Sequence, residues 1–205
     1  MSYLSWVNWL SNFADQAVIL PLTLAIALTL WLFGWRKGAY GMIVSVLGTL
    51  VAVVATKLFF YFLTGFHALR LPIGLVSPSS HAAAGAVVYG ILVALLLRGG
   101  RAGVRTAAVT SCFFALFFSL TRVELHVHTR SEVVFGSLLG VIGAITFAKI
   151  AGRMPREFNR VRLAGAAGLA ILLMYGHTLH GEEPIRYVAT SAQILVKEAI
   201  AAVKD

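Results

Sequence analysis

Six stretches of 17 to 24 residues that are almost wholly apolar leave this chain few ways to fold. A helix of about 20 residues crosses the hydrocarbon of a bilayer, and lipid tolerates only segments that satisfy their own backbone hydrogen bonds. The runs lie at about 17–34, 40–63, 81–97, 104–120, 132–150 and 161–179. They predict an all-α polytopic membrane protein, a bundle of six transmembrane helices forming one domain over residues 1–205. A chain that is 59% hydrophobic and 12% charged, with mean hydropathy +0.86, excludes an ordinary soluble domain.

Smaller features refine this outline. Trp6, Trp9 and Phe13 recur at helical spacing among serines and asparagines, and a similar pattern runs from about Arg186 to Val203. Both read as short amphipathic terminal helices at the interface. Gly136, Gly140 and Gly143 would let helices approach closely. No basic residue precedes Arg36 and Asp15 stands before the first run, so that run is expected to be a permanent helix rather than a cleaved signal. The single cysteine, Cys112, forms no intrachain disulfide and is expected as a small buried hydrophobe.

The charge is lopsided. Loops after the first, third and fifth runs hold ten basic residues against the one acid Glu157, whereas the opposite side, with both termini, has seven of each sign. By the positive-inside rule the first side is cytoplasmic and the second extracytoplasmic. The basic total is thus accounted for by membrane orientation, and no nucleic-acid partner is implied.

One polar stretch breaks the apolar pattern on the outer side. Residues 121–132 include Arg122, Glu124, His126, His128, Arg130 and Glu132. Ionisable groups beside membrane depth are expensive and mark function, although a solvated polar loop is the bland alternative. Glu132 follows His128 by four residues, one helical turn, so its carboxylate is placed to hold one imidazole nitrogen and leave the other as a nucleophile or ligand. Arg122 adds a planar fork suited to phosphate. Two histidines two apart in a loop, His126 and His128, are weak grounds for a metal site with Glu132.

Two further features fall on that side. Pro78, Ser79, Ser80 and His81 stand at the start of the third run, where a helix N-terminus binds anions and His81 is placed to donate a proton; a simple cap with a solvated histidine is the alternative. Lys57 interrupts the second run two turns from its outer end, either snorkelling to the surface or binding phosphate, with Arg70 in the following loop as a second cation.

In order these residues read Lys57, Pro78-Ser79-Ser80-His81, Arg122, five residues, His128, three residues, Glu132. The pattern resembles the type 2 phosphatidic acid phosphatase (PAP2) family of membrane lipid phosphatases, whose motifs run K-x6-R-P, P-S-G-H and S-R-x5-H-x3-D. The resemblance implies His128 as a nucleophile forming phosphohistidine, Glu132 orienting it, and His81 as general acid. It implies that Lys57, Arg122 and the backbone at Ser79 and Ser80 bind phosphate, with no metal and no cofactor. The substrate implied is a phosphorylated lipid of the bilayer, in a bacterial inner membrane with the site facing the periplasm, and undecaprenyl diphosphate or another envelope lipid is the expected kind. The chain departs from the pattern at Thr64-Gly65 in place of Arg-Pro, for which Arg70 is a candidate substitute, and at Thr121, Ser80 and Glu132. A phosphotransferase using the same histidine and a non-catalytic lipid-phosphate binding or transport protein remain alternatives.

Overall fold

A computed structural model describes residues 2–64, 77–97, 103–155, 158–179 and 181–204. Among them are eight α-helices and no strand: α1 (Tyr3–Ser11), α2 (Gln16–Leu32), α3 (Arg36–Thr64), α4 (Ser80–Leu97), α5 (Val104–Glu124), α6 (Arg130–Ala151), α7 (Arg160–Met174) and α8 (Glu182–Lys204), with a 3₁₀ turn at Asn12–Ala14.

Four of these helices, α3 to α6, are long and apolar enough to cross a bilayer. The α2 helix joins them only if α1 and α2, bent by 41° at their junction, are taken as one broken span. The count is therefore four to five, and the expected six is not reached. The difference at the sixth run has a local cause. Expected over 161–179, the helix stops at Met174, because Tyr175 turns to extended backbone and Gly176 follows at φ 91°. At 15 residues it is about 22 Å long, short of the ~30 Å hydrocarbon layer. The apolar residues beyond it look helical in sequence, yet the Leu179 N–H is drawn across to Asp15 Oδ1 at 3.0 Å.

The central helix is α4, buried along nearly its whole length. Its Ala82-Ala83-Ala84-Gly85-Ala86 run allows this, since small residues let neighbouring backbones come close where lipid gives no hydrophobic drive for helix association. Hydroxyls then tie helix to helix: Ser111 Oγ donates to the Ala86 carbonyl at 2.8 Å and Thr110 Oγ1 to the Gly90 carbonyl at 2.7 Å. The glycines of α6 act as expected. A Cβ at Gly136, Gly140 or Gly143 would lie 2.3 Å from the Ser79 carbonyl oxygen, 2.4 Å from that of Ala83 and 2.1 Å from Thr49 Oγ1, respectively.

Outward stripes on the bundle are apolar and exposed, including Val109, Phe113, Leu116 and Leu120 on α5 and Val134, Leu138 and Ile142 on α6. Cys112 lies exposed on α5, against the expectation of burial, because it falls on this outward side. At the end of the bundle away from the polar stretch, the Trp35 indole donates to the Ala151 carbonyl at 2.8 Å and joins α3 to α6.

Close packing makes a contrast to measure. Gly140→Val should lower the thermal midpoint in detergent by the equivalent of about 1–3 kcal/mol, the usual range for overpacking. Gly165→Ala, where the added Cβ meets nothing within 4 Å, should be neutral or stabilising by up to about 1 kcal/mol. Equal midpoints for the two variants would refute the packing argument.

Candidate active site

The end of α3, the start of α4, the end of α5 and the start of α6 meet at one end of the bundle, and Glu132 joins three of the segments there. Thr129 caps α6 and forms a reciprocal box with Glu132: Glu132 N–H donates to Thr129 Oγ1, and Thr129 N–H donates to Glu132 Oε2 at 3.0 Å. The other oxygen, Oε1, accepts from Ser77 N–H at 2.8 Å, and the Glu132 carbonyl accepts from Ser79 N–H at 3.0 Å. The segment before α4 is thereby held against α6 through one residue. Oε2 also lies 3.1 Å from His128 Nδ1. A carboxylate can only accept, so Nδ1 carries the proton and Nε2 keeps its lone pair. Burial holds the His128 pKa below its ordinary value although the Glu132 hydrogen bond opposes it, and the ring is neutral at neutral pH.

The turn that delivers His128 is built by His126. The Val127 N–H donates to the Arg122 carbonyl and the His126 N–H to that of Val123, the pairing of a Schellman cap, with His126 at φ 55° in the position glycine usually takes. His126 Nδ1 lies 2.8 Å from the Glu124 carbonyl. Among the described residues no three His, Cys, Asp or Glu side chains are grouped as a metal site requires.

Lys57 does not snorkel. It is 1% exposed, and its Nζ turns inward to donate to Ser80 Oγ at 3.4 Å. Arg122 donates from one terminal nitrogen to Ser11 Oγ at 3.1 Å, while its Nε is buried with no hydrogen-bond partner among the described residues. Lys57, Ser80, His81, Arg122 and His128 together line a cavity of about 70 Å³. Buried Lys57 and half-buried Arg122, whose buried Nε has no hydrogen-bond partner among the described residues, put positive charge on one small cavity and suit it to an anion.

Ser79 stands apart from the expectation. It does not line this cavity: its N–H is taken by Glu132, and its Oγ accepts from Ala82 N–H at 3.4 Å. Ser79 therefore fastens the start of α4, and Ser80 faces the cavity. Arg70, like His67 and His180, lies outside the described residues.

Two contributors from the N-terminal segment were not anticipated as site residues. Ser11 meets Arg122, and Asp15, 6% exposed, places Oδ2 3.8 Å from His81 Nε2 while Oδ1 caps α2 at Ala17 N–H. Asp15 precedes Gln16 as an ordinary N-cap, and nothing in its sequence spacing relates it to a residue 66 positions away. A third, Arg186 of α8, lines a neighbouring cavity with Arg122, His128 and Glu132.

Comparison with known proteins agrees with this geometry. The family model of the PAP2 superfamily matches residues 59–156, which hold every motif residue except Lys57, so this part of the chain is similar to that superfamily. The match supports a phosphatase-type activity on phosphoesters. An uncharacterised 22.5 kDa protein of the cps region of Klebsiella pneumoniae is 29% identical, over 93% of this chain and 94% of that one. No solved structure matches.

Loss of the Glu132 carboxylate should be felt in stability as well as chemistry. Glu132→Ala leaves the N–H groups of Ser77 and Thr129 without this acceptor and should destabilise by about 2–6 kcal/mol, at roughly 1–3 per unsatisfied group. His126→Gly relieves a left-handed side-chain residue and should match or exceed the wild-type midpoint. Thermal unfolding of both variants in detergent checks these directions.

Proposed function

We propose that the protein is a lipid phosphatase that removes a phosphoryl group from a phosphomonoester or diphosphate lipid through phosphohistidine at His128. The observation that carries this reading is the 3.1 Å contact of His128 Nδ1 with Glu132 on the wall of a cavity shared with Lys57, Arg122 and His81.

The chemistry follows from the side chains. The Nε2 lone pair of His128 attacks phosphorus, the bond to the leaving oxygen breaks, and protonated His81, beside Asp15, gives that oxygen its proton. In the second step a water loses a proton to His81 and attacks phosphorus, breaking the P–N bond and releasing inorganic phosphate. Negative charge on the equatorial oxygens is stabilised by Lys57, Arg122 and the Ser80 hydroxyl. Glu132 stabilises the positive ring that forms when Nε2 becomes bonded to phosphorus. These fixed charges supply what the transfer needs without a metal.

Arg36, Lys37, Arg105, Lys149, Arg153, Arg160 and Arg162 lie at or beside the helix ends away from the cavity, and with the positive-inside rule this supports a site on the extracytoplasmic face of a bacterial inner membrane. Val53, Val54 and Leu179 form an apolar side to the cavity, fitting a substrate whose tail stays in lipid. An envelope lipid such as undecaprenyl diphosphate is the substrate we favour.

Phosphate release by the purified protein across undecaprenyl diphosphate, phosphatidic acid, phosphatidylglycerol phosphate and lipid A tests the reading. One or more lipids should be cleaved, His128→Ala should reduce the rate by at least about 10³-fold while remaining folded, and EDTA should not inhibit. Silence across the panel from folded protein would refute it. Because burial lowers the His128 pKa, protonation should silence the nucleophile only in acid. The acid limb of log kcat/KM should therefore lie below the ordinary histidine value of about 6.5, and an acid limb above that value would contradict the assignment.

A further inference from the structure

The cavity that holds the motif residues leads to a second and larger one. This space, about 420 Å³, is lined by Tyr61, Ser77, Arg122, His128, Glu132 and Arg186 among others. Five of these come from helices and loops of the motif-bearing segment. Arg186 comes from α8, more than 50 residues further along the chain.

The placement of Arg186 is built rather than incidental. The α8 helix lies along the outer end of α3, where the last carbonyls of a helix lack partners. Gln193 Nε2 donates to two of them, those of Tyr61 and Phe62. Two turns earlier on the same face, the Arg186 guanidinium sits 5.7 Å from the centre of the Tyr61 ring, and Ala189 between them is buried. Ile185 reaches the smaller cavity. One face of α8 therefore clips onto α3 and presents a guanidinium to the space beside His128, and the charge is near enough to act on the Lys57 ammonium. Arg186 makes no ion pair among the described residues. The last two turns of α3, Leu58 to Thr64, carry no basic residue, and Arg186 adds its charge to that of Arg122 on the larger cavity.

We infer that Arg186 is a phosphate-binding side chain of the site, supplied by the C-terminal helix, and that its ligand is the phosphate anion of the substrate and of the product. The inference rests on the phosphatase reading above, and it extends the site to an element outside the matched family segment. With five N–H donors, a guanidinium that also bonds the Tyr61 side chain keeps donors for bidentate contact with phosphate oxygens.

Binding of inorganic phosphate to the full-length protein in detergent, measured by calorimetry, tests this without turnover. Arg186→Met keeps an apolar stem over Tyr61 and removes the charge. It should weaken phosphate binding by about tenfold or more, the loss expected for one charge-assisted contact, and should raise KM more than it lowers kcat. Arg186→Lys should recover part of the affinity, and both variants should keep the wild-type thermal midpoint within a few degrees. Unchanged phosphate affinity in Arg186→Met would overturn the inference, leaving Arg186 as a clip on Tyr61. If Arg122→Ala abolishes binding while Arg186→Met does not, this inference alone falls. If wild-type protein binds no phosphate, the phosphatase reading falls with it.

Discussion

The Glu132 carboxylate is the interaction on which the polar end of this bundle depends. It closes the cap of α6, accepts from the Ser77 N–H ahead of α4 and holds Nδ1 of His128. A single buried charge thereby joins two helix starts and the turn between α5 and α6. Several donors converge on this carboxylate, which is only 7% exposed. The same bonds that stabilise the fold locally also leave the free imidazole nitrogen available, so architecture and chemistry share one anchor.

Close packing is what brings the partners of that anchor within reach. Gly136 allows α6 to rest on the Ser79 carbonyl, and Gly140 lets it rest on that of Ala83. With larger residues the start of α4 would stand off from Glu132. Small residues along a central helix thus act at a distance on the site, through the spacing of backbones and not through any contact with the cavity.

The site is completed by segments outside the motifs. Ser11 and Asp15 enter from the N-terminal side and meet Arg122 and His81, and α8 brings Arg186 from the C-terminal side. Motif residues line the smaller cavity, and the terminal segments bring Ser11, Asp15 and Arg186 beside them. The two amphipathic ends of the chain therefore do more than rest at the interface: each adds a side chain beside a motif residue.

Much of this was legible in the order of residues. Long apolar runs dictated helices, because a backbone in lipid has few other ways to satisfy its hydrogen bonds, and glycines three and four apart marked the packing face of α6. The four-residue step from His128 to Glu132 pointed to their pairing, which forms at the start of α6 with His128 just ahead of the Thr129 cap. Other features were decided only in three dimensions. The end of the sixth run leaves the helix after Met174, and its Leu179 N–H is tied to Asp15, an outcome no hydropathy pattern records. Whether Lys57 turned outward or inward depended on Ser80, 23 residues away, and the partners of His81 and Arg122 came from a segment more than 60 residues distant. Local periodicity governs what one helix can form, whereas contacts between residues far apart in sequence depend on how helices pack, and that is set by the whole bundle at once.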